Sequence, residues 1–406
     1  MYLQLAWRNV WRNPRRTTVI LIAIIIGVWS MVFLGALSRG VNEQMIRNGI
    51  STLTGEIQIH QKGYRSDPSI ENSIAAPQKI RTVLPDILPS GSQWTARVRL
   101  NAIASNARHS TGISLVGINP REEAKMSFIG NAVDQGRYLQ PDDTRGILIG
   151  KALADKLETK LGRKLVLMSQ DTTKEIASRA FRIVGIFRAE MEATEKQYVF
   201  VNLPTAQTML KMGQSISEFS IILPNREHVD HIAASLKTAL PSHYSVSTWQ
   251  QLLPLISAYL QLTDGWILIW YLVVFIAMGF GIVNTMLMAI FERFREFGLL
   301  KALGMKPWGI VKAVLTETFF LLFLGIFIGN VLGFFSISAL AENGIDLSSL
   351  AEGAEYAGIS RIIYPAMSLK DLATANLVVF ILGIIVSVYP AIKAARFKPV
   401  DALAHT

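Results

Sequence analysis

The 406-residue sequence contains no cysteine, so disulfide bridges and thiol chemistry are excluded. It also lacks the patterns G-x-x-x-x-G-K-[ST], G-x-S-x-G and H-E-x-x-H. These patterns carry the residues for nucleotide binding, acyl transfer and zinc-dependent hydrolysis. We therefore expect a protein that is not an enzyme, with no catalytic residue, no metal and no cofactor bound by this chain.

Charged residues make up only 17% of the chain, and four runs of 21 to 27 residues contain none. A hydrocarbon core about 30 Å thick requires about 20 apolar residues in a helix that rises about 1.5 Å per residue. Each run is long enough to cross the membrane. The four runs, at residues 17–38, 265–291, 318–341 and 372–392, predict four membrane spans.

The net charge of +10 is concentrated in three short segments next to the predicted spans. Residues 1–16 carry +4, residues 292–312 carry +3, and residues 393–406 carry +2. Short basic segments lie on the cytoplasmic side of membrane proteins. We therefore predict a multi-pass membrane protein with both termini in the cytoplasm. Because the basic charge is not spread over a soluble surface, no nucleic acid is expected as a partner.

The long segment between the first two spans has an ordinary globular composition. Its hydrophobic period changes from helical to alternating, which predicts a mixed α/β domain in two lobes. An exposed loop is expected over 67–76, and helices are expected over 151–161, 204–212 and 227–240. The predicted strands are GEIQIHQ, TARVRLNAIAS, ISLVGI, GILIG, KLVLMS, AFRIVGIF, QYVFV and EFSIILP.

The first 16 residues predict a short amphipathic helix before the first span. Tryptophan side chains favour the membrane interface, and arginine side chains favour anionic lipid headgroups, so this helix should lie in the headgroup layer. The predicted membrane-interface residues are Trp7, Arg8, Trp11, Arg12 and Arg15.

The segment FERFREFGLLKALGMKPWGIV, residues 291–311, is a charged stretch between the second and third spans. We expect a short helix that ends at Gly304, because glycine tolerates the left-handed C-cap conformation, and a new helix that begins at Pro307. A short helix that is joined to a span at each end could transmit force.

Three glycines in the third span, Gly325, Gly329 and Gly333, recur every four residues. This small-xxx-small pattern allows two helix backbones to approach closely. It predicts a packing contact with another span of this chain or with a partner chain.

Three motifs together resemble the FtsX/MacB/LolE group of ABC-transporter permeases, also called type VII or mechanotransmission transporters. They are LAWRNVWRNPRRTTVILIAIIIGV, FERFREFGLLKALGMKPWGIVKAVLTE and YPAIKAARFKPVDAL. The stretch QGRYLQPDDTRGILIGKALADKLETKLGRKLVLM is similar to the periplasmic core of that group. Within the group, TGEIQIHQKGY resembles the lipoprotein-releasing permeases LolC and LolE.

The resemblance implies a membrane α-helical fold with four transmembrane helices and a large mixed α/β periplasmic domain inserted between the first and second spans. The implied order is a cytoplasmic amphipathic elbow helix (1–16), the first span (17–38), the periplasmic domain with helical stalk ends (39–264), the second span (265–291), a cytoplasmic coupling helix (292–312), the third span (313–341), a small periplasmic loop (342–371), the fourth span (372–392) and a cytoplasmic tail (393–406).

The resemblance also implies partners. These are a cytoplasmic ABC ATPase dimer that holds ATP and Mg²⁺, a second permease copy or paralogue, a lipid-anchored or amphiphilic substrate, and a periplasmic chaperone or adaptor. Because MacB-like chains usually carry a fused N-terminal ATPase and this sequence starts at the membrane, the ATPase is expected on a separate subunit.

The residues that match the coupling helix of the group are expected to contact the ATPase, with the charges pairing with its surface, and Gly298 and Ala302 permitting close docking. The full set is Glu292, Arg293, Arg295, Glu296, Gly298, Lys301, Ala302 and Gly304.

The leading hypothesis is a permease that extracts lipoproteins or other lipid-anchored substrates from the inner membrane. Two alternatives remain open at this point. One is MacB-like efflux of a drug, peptide or toxin with an adaptor, and the other is FtsX-like activation of a cell-wall hydrolase without transport.

Overall fold

The computed structural model describes residues 2–346 and 362–397 of the chain. Within the predicted small loop, residues 347–361 lie outside the described part, as do residues 398–406 of the predicted tail. The described helices are Tyr2–Arg12 (α1), Pro14–Gly49 (α2), Pro77–Ile87 (α3), Pro120–Glu123 (α4), Lys151–Lys156 (α5), Glu192–Gln197 (α6), Leu203–Met209 (α7), Val229–Ala239 (α8), Trp249–Leu252 (α9), Pro254–Glu292 (α10), Phe294–Ala302 (α11), Pro307–Asn343 (α12) and Leu369–Ala395 (α13).

The described strands are Ile57–Gln61 (β1), Gln93–Ser105 (β2), Ser110–Ile118 (β3), Val133–Gly136 (β4), Gly146–Gly150 (β5), Lys164–Gln170 (β6), Ile176–Phe187 (β7), Tyr198–Asn202 (β8), Glu218–Ile222 (β9), Tyr244–Thr248 (β10), Ile345–Asp346 (β11) and Ile362–Ile363 (β12). The chain divides into two compact units. The membrane unit holds the four long helices, and the inserted domain consists mainly of residues Gln44–Ala258.

Four helices of the described chain, α2, α10, α12 and α13, are long and apolar enough to cross a membrane. The predicted fold class, four transmembrane helices with an α/β domain between the first and second, is confirmed. Buried aliphatic and aromatic side chains from all four helices share one core. Its members include Ile24, Phe275, Leu321, Leu322 and Val379.

The three glycines of α12 pack against α2 of the same chain. A Cβ atom built on Gly325 would lie 2.5 Å from Ile24 Cγ2, and one on Gly333 would lie 2.9 Å from Val32 Cγ1. At Gly329 the obstacle includes backbone as well as side chain, because a Cβ would lie 3.1 Å from the carbonyl oxygen of Ile25. The partner that the small-xxx-small pattern left open is therefore the first span.

Replacing Gly329 with Leu is expected to lower the thermal unfolding midpoint of the detergent-solubilised protein, equivalent to about 1–3 kcal/mol, because the new side chain would force α12 away from α2. Gly265→Leu in α10 is the matched control, since a Cβ at Gly265 meets nothing within 4 Å. An equal midpoint for both variants would contradict the close contact between α2 and α12.

The larger lobe of the inserted domain is a closed ring of strands. The pairings run β2–β3–β8–β5–β7–β6 and return from β6 to β2, with β3–β8 and β5–β7 parallel and the rest antiparallel. Closure removes unpaired sheet edges, which otherwise invite association with other chains. Inward-facing residues such as Leu115, Ile149 and Phe181 fill the ring.

The smaller lobe consists of the sheet β10–β1–β9 and the first half of β2, covered by α3 and α8. Residues Ile57, Ile59, Phe219 and Leu236 are fully buried in its core. Since β2 contributes to both lobes, its 13 residues join them into one sheet. Two lobes were expected from the sequence.

A buried arginine stabilises the turn that follows α2. After α2 the chain makes a single π-type turn in which Leu53 adopts φ +67°. A left-handed conformation costs a residue with a Cβ about 1–2 kcal/mol, so it must be held by its surroundings. The Leu53 carbonyl accepts hydrogen bonds from Arg97 Nη1 and from Gln58 Nε2, the latter at 3.1 Å. Gly55 then ends the turn at φ +67°.

Arg97 is also the centre of a buried ion network in the inserted domain. Its guanidinium donates to both oxygens of Glu123 at 2.8 Å and to Glu218 at 3.2 Å, and all three side chains are at most 1% exposed. Burial alone would lower the pKa of Arg97, but the two carboxylates outweigh it and raise the pKa above its usual value. The network keeps Arg97 charged in the domain core.

All eight strands predicted from the sequence are present, but the short strands β4, β10, β11 and β12 and the helices α3, α4 and α6 were missed. Helix α3 contains Pro85, a residue that normally argues against a helix interior. The expectation of an exposed loop over 67–76 was wrong in part. Ile70 and Ile74 are buried, and Ile74 pairs with Ile216 as a β-bridge, because the loop covers one end of the domain core.

Candidate functional site

The charged segment between the second and third spans forms the short helix α11. Arg293, at φ −101° and ψ 14°, interrupts the helix between α10 and α11. At the other end Gly304 adopts φ +95°, and Pro307 is the first residue of α12, so the predicted stop and restart are confirmed. The segment is therefore a nine-residue helix with a break at each end.

One carboxylate, Glu317 of α12, holds this segment to the first span. Arg16 Nη2 donates to Glu317 Oε1 at 2.9 Å, and Arg293 Nη1 donates to Glu317 Oε2 at 2.9 Å. The three side chains are only 10–13% exposed. Hydrogen-bonded ion pairs at this depth break only at high cost, so α2, α11 and α12 are joined at one point.

A second carboxylate, Glu296, lies on the more exposed side of the same network. It pairs with Arg12 of α1 at 2.7 Å and with Arg293 at 3.1 Å. Burial would raise the pKa of Glu296, but the hydrogen bonds from Arg12 and Arg293 prevail and hold the pKa below its usual value. Glu292 completes the cluster through a hydrogen bond from Asn13 at 3.4 Å. The charged residues thus connect α11 to the N-terminal helix.

The C-terminal end of α11 is attached to the end of the last helix. Lys301 Nζ donates to the carbonyl oxygens of Ala395 at 3.0 Å and Phe397 at 2.7 Å. These carbonyls lie at the C-terminus of α13, where a cation is favoured by the helix dipole. The ring of Phe294 packs edge-on against Phe397 at 4.4 Å between centroids. Helix α11 is therefore fixed at both ends.

The outward face of α11 is apolar. Leu299 is 53% exposed and Leu303 is 76% exposed, four residues apart on one face of the helix. Trp308, at the start of α12, is 63% exposed, and Arg295 is also exposed. A cluster of large apolar side chains next to charges is typical of a surface that binds another protein.

The structure distributes the predicted coupling residues between two roles. Arg293, Glu296 and Lys301 have partners within the chain, and their pairing with an ATPase surface stays a prediction. Gly298 is buried whereas Ala302 is exposed, so they do not form one docking surface. The residues of the set that remain exposed are Glu292, Arg295, Glu296, Ala302 and Gly304.

Sequence reasoning missed Arg16, Glu317 and the leucine pair. Nothing in the sequence near Glu317 shows that Arg16, 301 positions earlier, lies beside it. A signal for the leucines was available, since Leu299 and Leu303 repeat at helical spacing in a segment otherwise rich in charge.

Helix α1, the predicted elbow, packs on the third span. Val10 is buried at 1% exposure, and the Trp7 ring meets Phe320 edge-on at 5.5 Å. Trp7 and Trp11 remain about half exposed, and Arg8 and Arg15 are exposed. Arg12 instead forms the ion pair with Glu296. Four of the five predicted interface residues are thus available to lipid headgroups, whereas Arg12 also holds α11.

No group of three or more histidine, aspartate or glutamate side chains among the described residues is placed to hold a metal ion.

Comparisons with known proteins agree with this arrangement. Residues 17–239 match the family model described as MacB-like periplasmic core domain, and residues 268–399 match that described as FtsX-like permease C-terminal. An uncharacterised ABC transporter permease of Methanocaldococcus jannaschii is 25% identical over 98% of this chain and 96% of its own length. The lipoprotein-releasing system transmembrane protein LolC of Xylella fastidiosa is 24% identical over 76% of each chain.

The macrolide export ATP-binding/permease protein MacB of Marinobacter nauticus is 23% identical over 99% of this chain, which spans 60% of that relative's length. The family models together cover most of the inserted domain and most of the membrane unit. The chain therefore belongs to the MacB/FtsX-like family of ABC transporter permeases, and it is a membrane protein of that family.

Proposed function

We propose that this chain is the permease subunit of an ABC transporter and that it carries motion from an ATPase on a separate cytoplasmic chain to its inserted domain. The observation that supports this proposal is the construction of α11. Its apolar face, Leu299 and Leu303, is free to bind, while its base is fixed to α1, α2, α12 and α13 by ion pairs and backbone hydrogen bonds. A push on the exposed face is therefore delivered to three spans at once.

The charge distribution supports an orientation with α11 and both termini in the cytoplasm and the inserted domain in the periplasm of a bacterial inner membrane. ATP and Mg²⁺ would then be held by the ATPase partner. The proposed complex contains an ATPase dimer and two permeases, either two copies of this chain or this chain with a paralogue.

The proposed cargo is a lipoprotein or another lipid-anchored substrate extracted from the inner membrane, with a periplasmic chaperone as the acceptor. Its support is the relation to LolC and the segment TGEIQIHQKGY, which forms β1 and the turn after it. The relation to MacB and to pyoverdine export proteins favours a second candidate, export of a soluble or amphiphilic molecule through an adaptor.

Purification of the complex from its native membrane tests the proposal, with bound proteins and lipids identified by mass spectrometry. An ABC ATPase should co-purify with the wild-type chain. Leu303→Asp should reduce the recovered ATPase at least about tenfold, because the new carboxylate would be buried in the proposed interface without a partner. Ile176→Asp, at an 82% exposed position in the inserted domain, is the control and should recover the ATPase in full.

Absence of any ATPase from the wild-type preparation, or equal recovery with Leu303→Asp, would contradict the role of α11. The same preparation separates the candidate cargoes. A bound lipoprotein supports extraction, an adaptor protein supports export, and a cell-wall hydrolase would indicate an FtsX-like role instead.

A further inference from the structure

The inserted domain contains a cavity of about 430 Å³. Its walls come from the end of α2, from β1 and the turn after it, from β2 and β8, and from α9 and the start of α10. This volume lies within the range of small-molecule sites, about 300–1,000 Å³. The exposed side chain of Arg65 lines it, so the cavity is open to solvent on that side.

The cavity presents a cation that forms no ion pair. Arg99 is half-buried, and its Nη2 donates to the Tyr198 hydroxyl at 2.9 Å while its guanidinium lies 5.2 Å from the centre of the Tyr198 ring. Within residues 2–346 and 362–397, no carboxylate forms an ion pair with Arg99. Glu218, the carboxylate that lines the cavity, is engaged by Arg97. A guanidinium presents five N–H donors in a fork that fits carboxylate and phosphate groups.

A second unsatisfied group lies in the same wall. His60 is 2% exposed, and its ring stacks on Tyr64 at 5.0 Å between centroids. Gln58 donates to Leu53, so its amide oxygen faces His60 and accepts from Nε2 at 2.9 Å. The other ring nitrogen, His60 Nδ1, forms no hydrogen bond in the described part of the chain. Buried polar atoms are rarely left unpaired, so a polar group belongs beside it.

Another part of the lining is apolar. Leu252, Leu253 and Ile256 line it and are each half-buried. They are held close to the end of α2, because a Cβ built on Gly49 would lie 2.5 Å from Leu253 Cδ1. The cavity therefore combines a cationic polar side with an aliphatic side.

We propose that this cavity binds an anionic amphiphile, with a phosphate or carboxylate group on Arg99 and an alkyl segment against Leu253 and Ile256. The inference concerns binding by this chain alone and does not depend on the cargo or on the ATPase. A membrane lipid and an amphiphilic substrate share this chemistry. A headgroup without an alkyl segment would lose the aliphatic contacts, and a neutral alcohol would lose the ionic ones.

Calorimetric titration of the full chain in phosphatidylcholine nanodiscs with hexyl phosphate tests the proposal. Hexyl phosphate should bind saturably, and both inorganic phosphate and hexanol should bind at least about tenfold more weakly. Arg99→Gln should weaken hexyl phosphate at least about tenfold, and Arg99→Lys should weaken it less. Arg108→Gln, which removes an arginine that is 81% exposed elsewhere in the same domain, should leave binding unchanged.

A second variant covers the case in which Arg99→Gln does not fold. Leu253→Gln should weaken hexyl phosphate while leaving the weak binding of inorganic phosphate unchanged. No saturable binding of hexyl phosphate to the wild-type chain, or equal binding by hexanol, overturns the proposal. Equal weakening by Arg108→Gln also overturns it, since the attraction would then be a general effect of charge.

If these results hold, competition by longer amphiphiles distinguishes a membrane lipid from an amphiphilic substrate as the natural ligand. Competition by a lysophospholipid alone supports a lipid site, and competition by a synthetic diacylated lipopeptide supports a substrate site.

Discussion

Replacing Glu317 with Gln is expected to destabilise the membrane unit by about 3–5 kcal/mol, because it leaves two nearly buried guanidiniums side by side without the carboxylate that separates their charges. Arg16 would lose the anion at 2.9 Å and retain only Glu292 at 4.0 Å. Arg293 would retain Glu296. The measurement is the thermal unfolding midpoint of the purified chain in detergent, followed by tryptophan fluorescence.

Glu342→Gln is the matched control for this prediction, because Glu342 is an exposed carboxylate near the other end of the same helix. The double variant Arg16→Met/Glu317→Leu should recover most of the lost stability, since it removes the orphaned cation together with its partner and leaves Arg293 paired. A Glu317→Gln protein as stable as the wild type would show that the three helices are not joined through this residue.

Arg97→Met is expected to lower the free energy of unfolding of the inserted domain by a similar amount, about 3–5 kcal/mol. In this case the substitution removes a buried cation, whereas Glu317→Gln removes a buried anion. Here the cation is removed, and Glu123 and Glu218 remain buried near each other at no more than 1% exposure. The Leu53 carbonyl also loses one of its two donors. Urea unfolding of the full chain, monitored by hydrogen exchange of peptides from β2 and β9, measures the effect in the domain where it arises.

The control for Arg97→Met is Arg108→Met, which removes an exposed arginine from the same domain. The triple variant Arg97→Met/Glu123→Leu/Glu218→Leu should be more stable than Arg97→Met alone, since buried ionic groups replaced together by apolar ones cost little. If Arg97→Met unfolds at the same urea concentration as the wild type, the buried network does not stabilise the domain.

The limits of prediction from this sequence follow from the range over which each signal acts. Charge-free runs and alternating strands are local, so the four spans and eight of the strands of the inserted domain could be found from the sequence. The small-xxx-small pattern of α12 is local too, but its partner in α2 lies roughly 300 residues away, and only the structure identifies it.

The candidate site shows the same division. The helix of residues Phe294–Ala302 and its end at Gly304 could be predicted, because caps and turns depend on neighbouring residues. The roles of its charges could not be predicted. Arg293 is bound by a carboxylate 24 positions later in the chain, and Glu296 by an arginine in the first helix. The sequence of a helix shows which residues are charged, but the ion-pair partner of each charge depends on which distant residues the fold brings next to it.

The glycines of α12 have a mechanical consequence. Over two helical turns they bring the backbone of the third span against branched side chains of the first, and β-branched residues have few rotamers with which to yield. We therefore expect the first and third spans to move together as one rigid body. Any sliding that accompanies a working cycle must then occur at the contacts of the second and fourth spans, where labels that report distance should be placed.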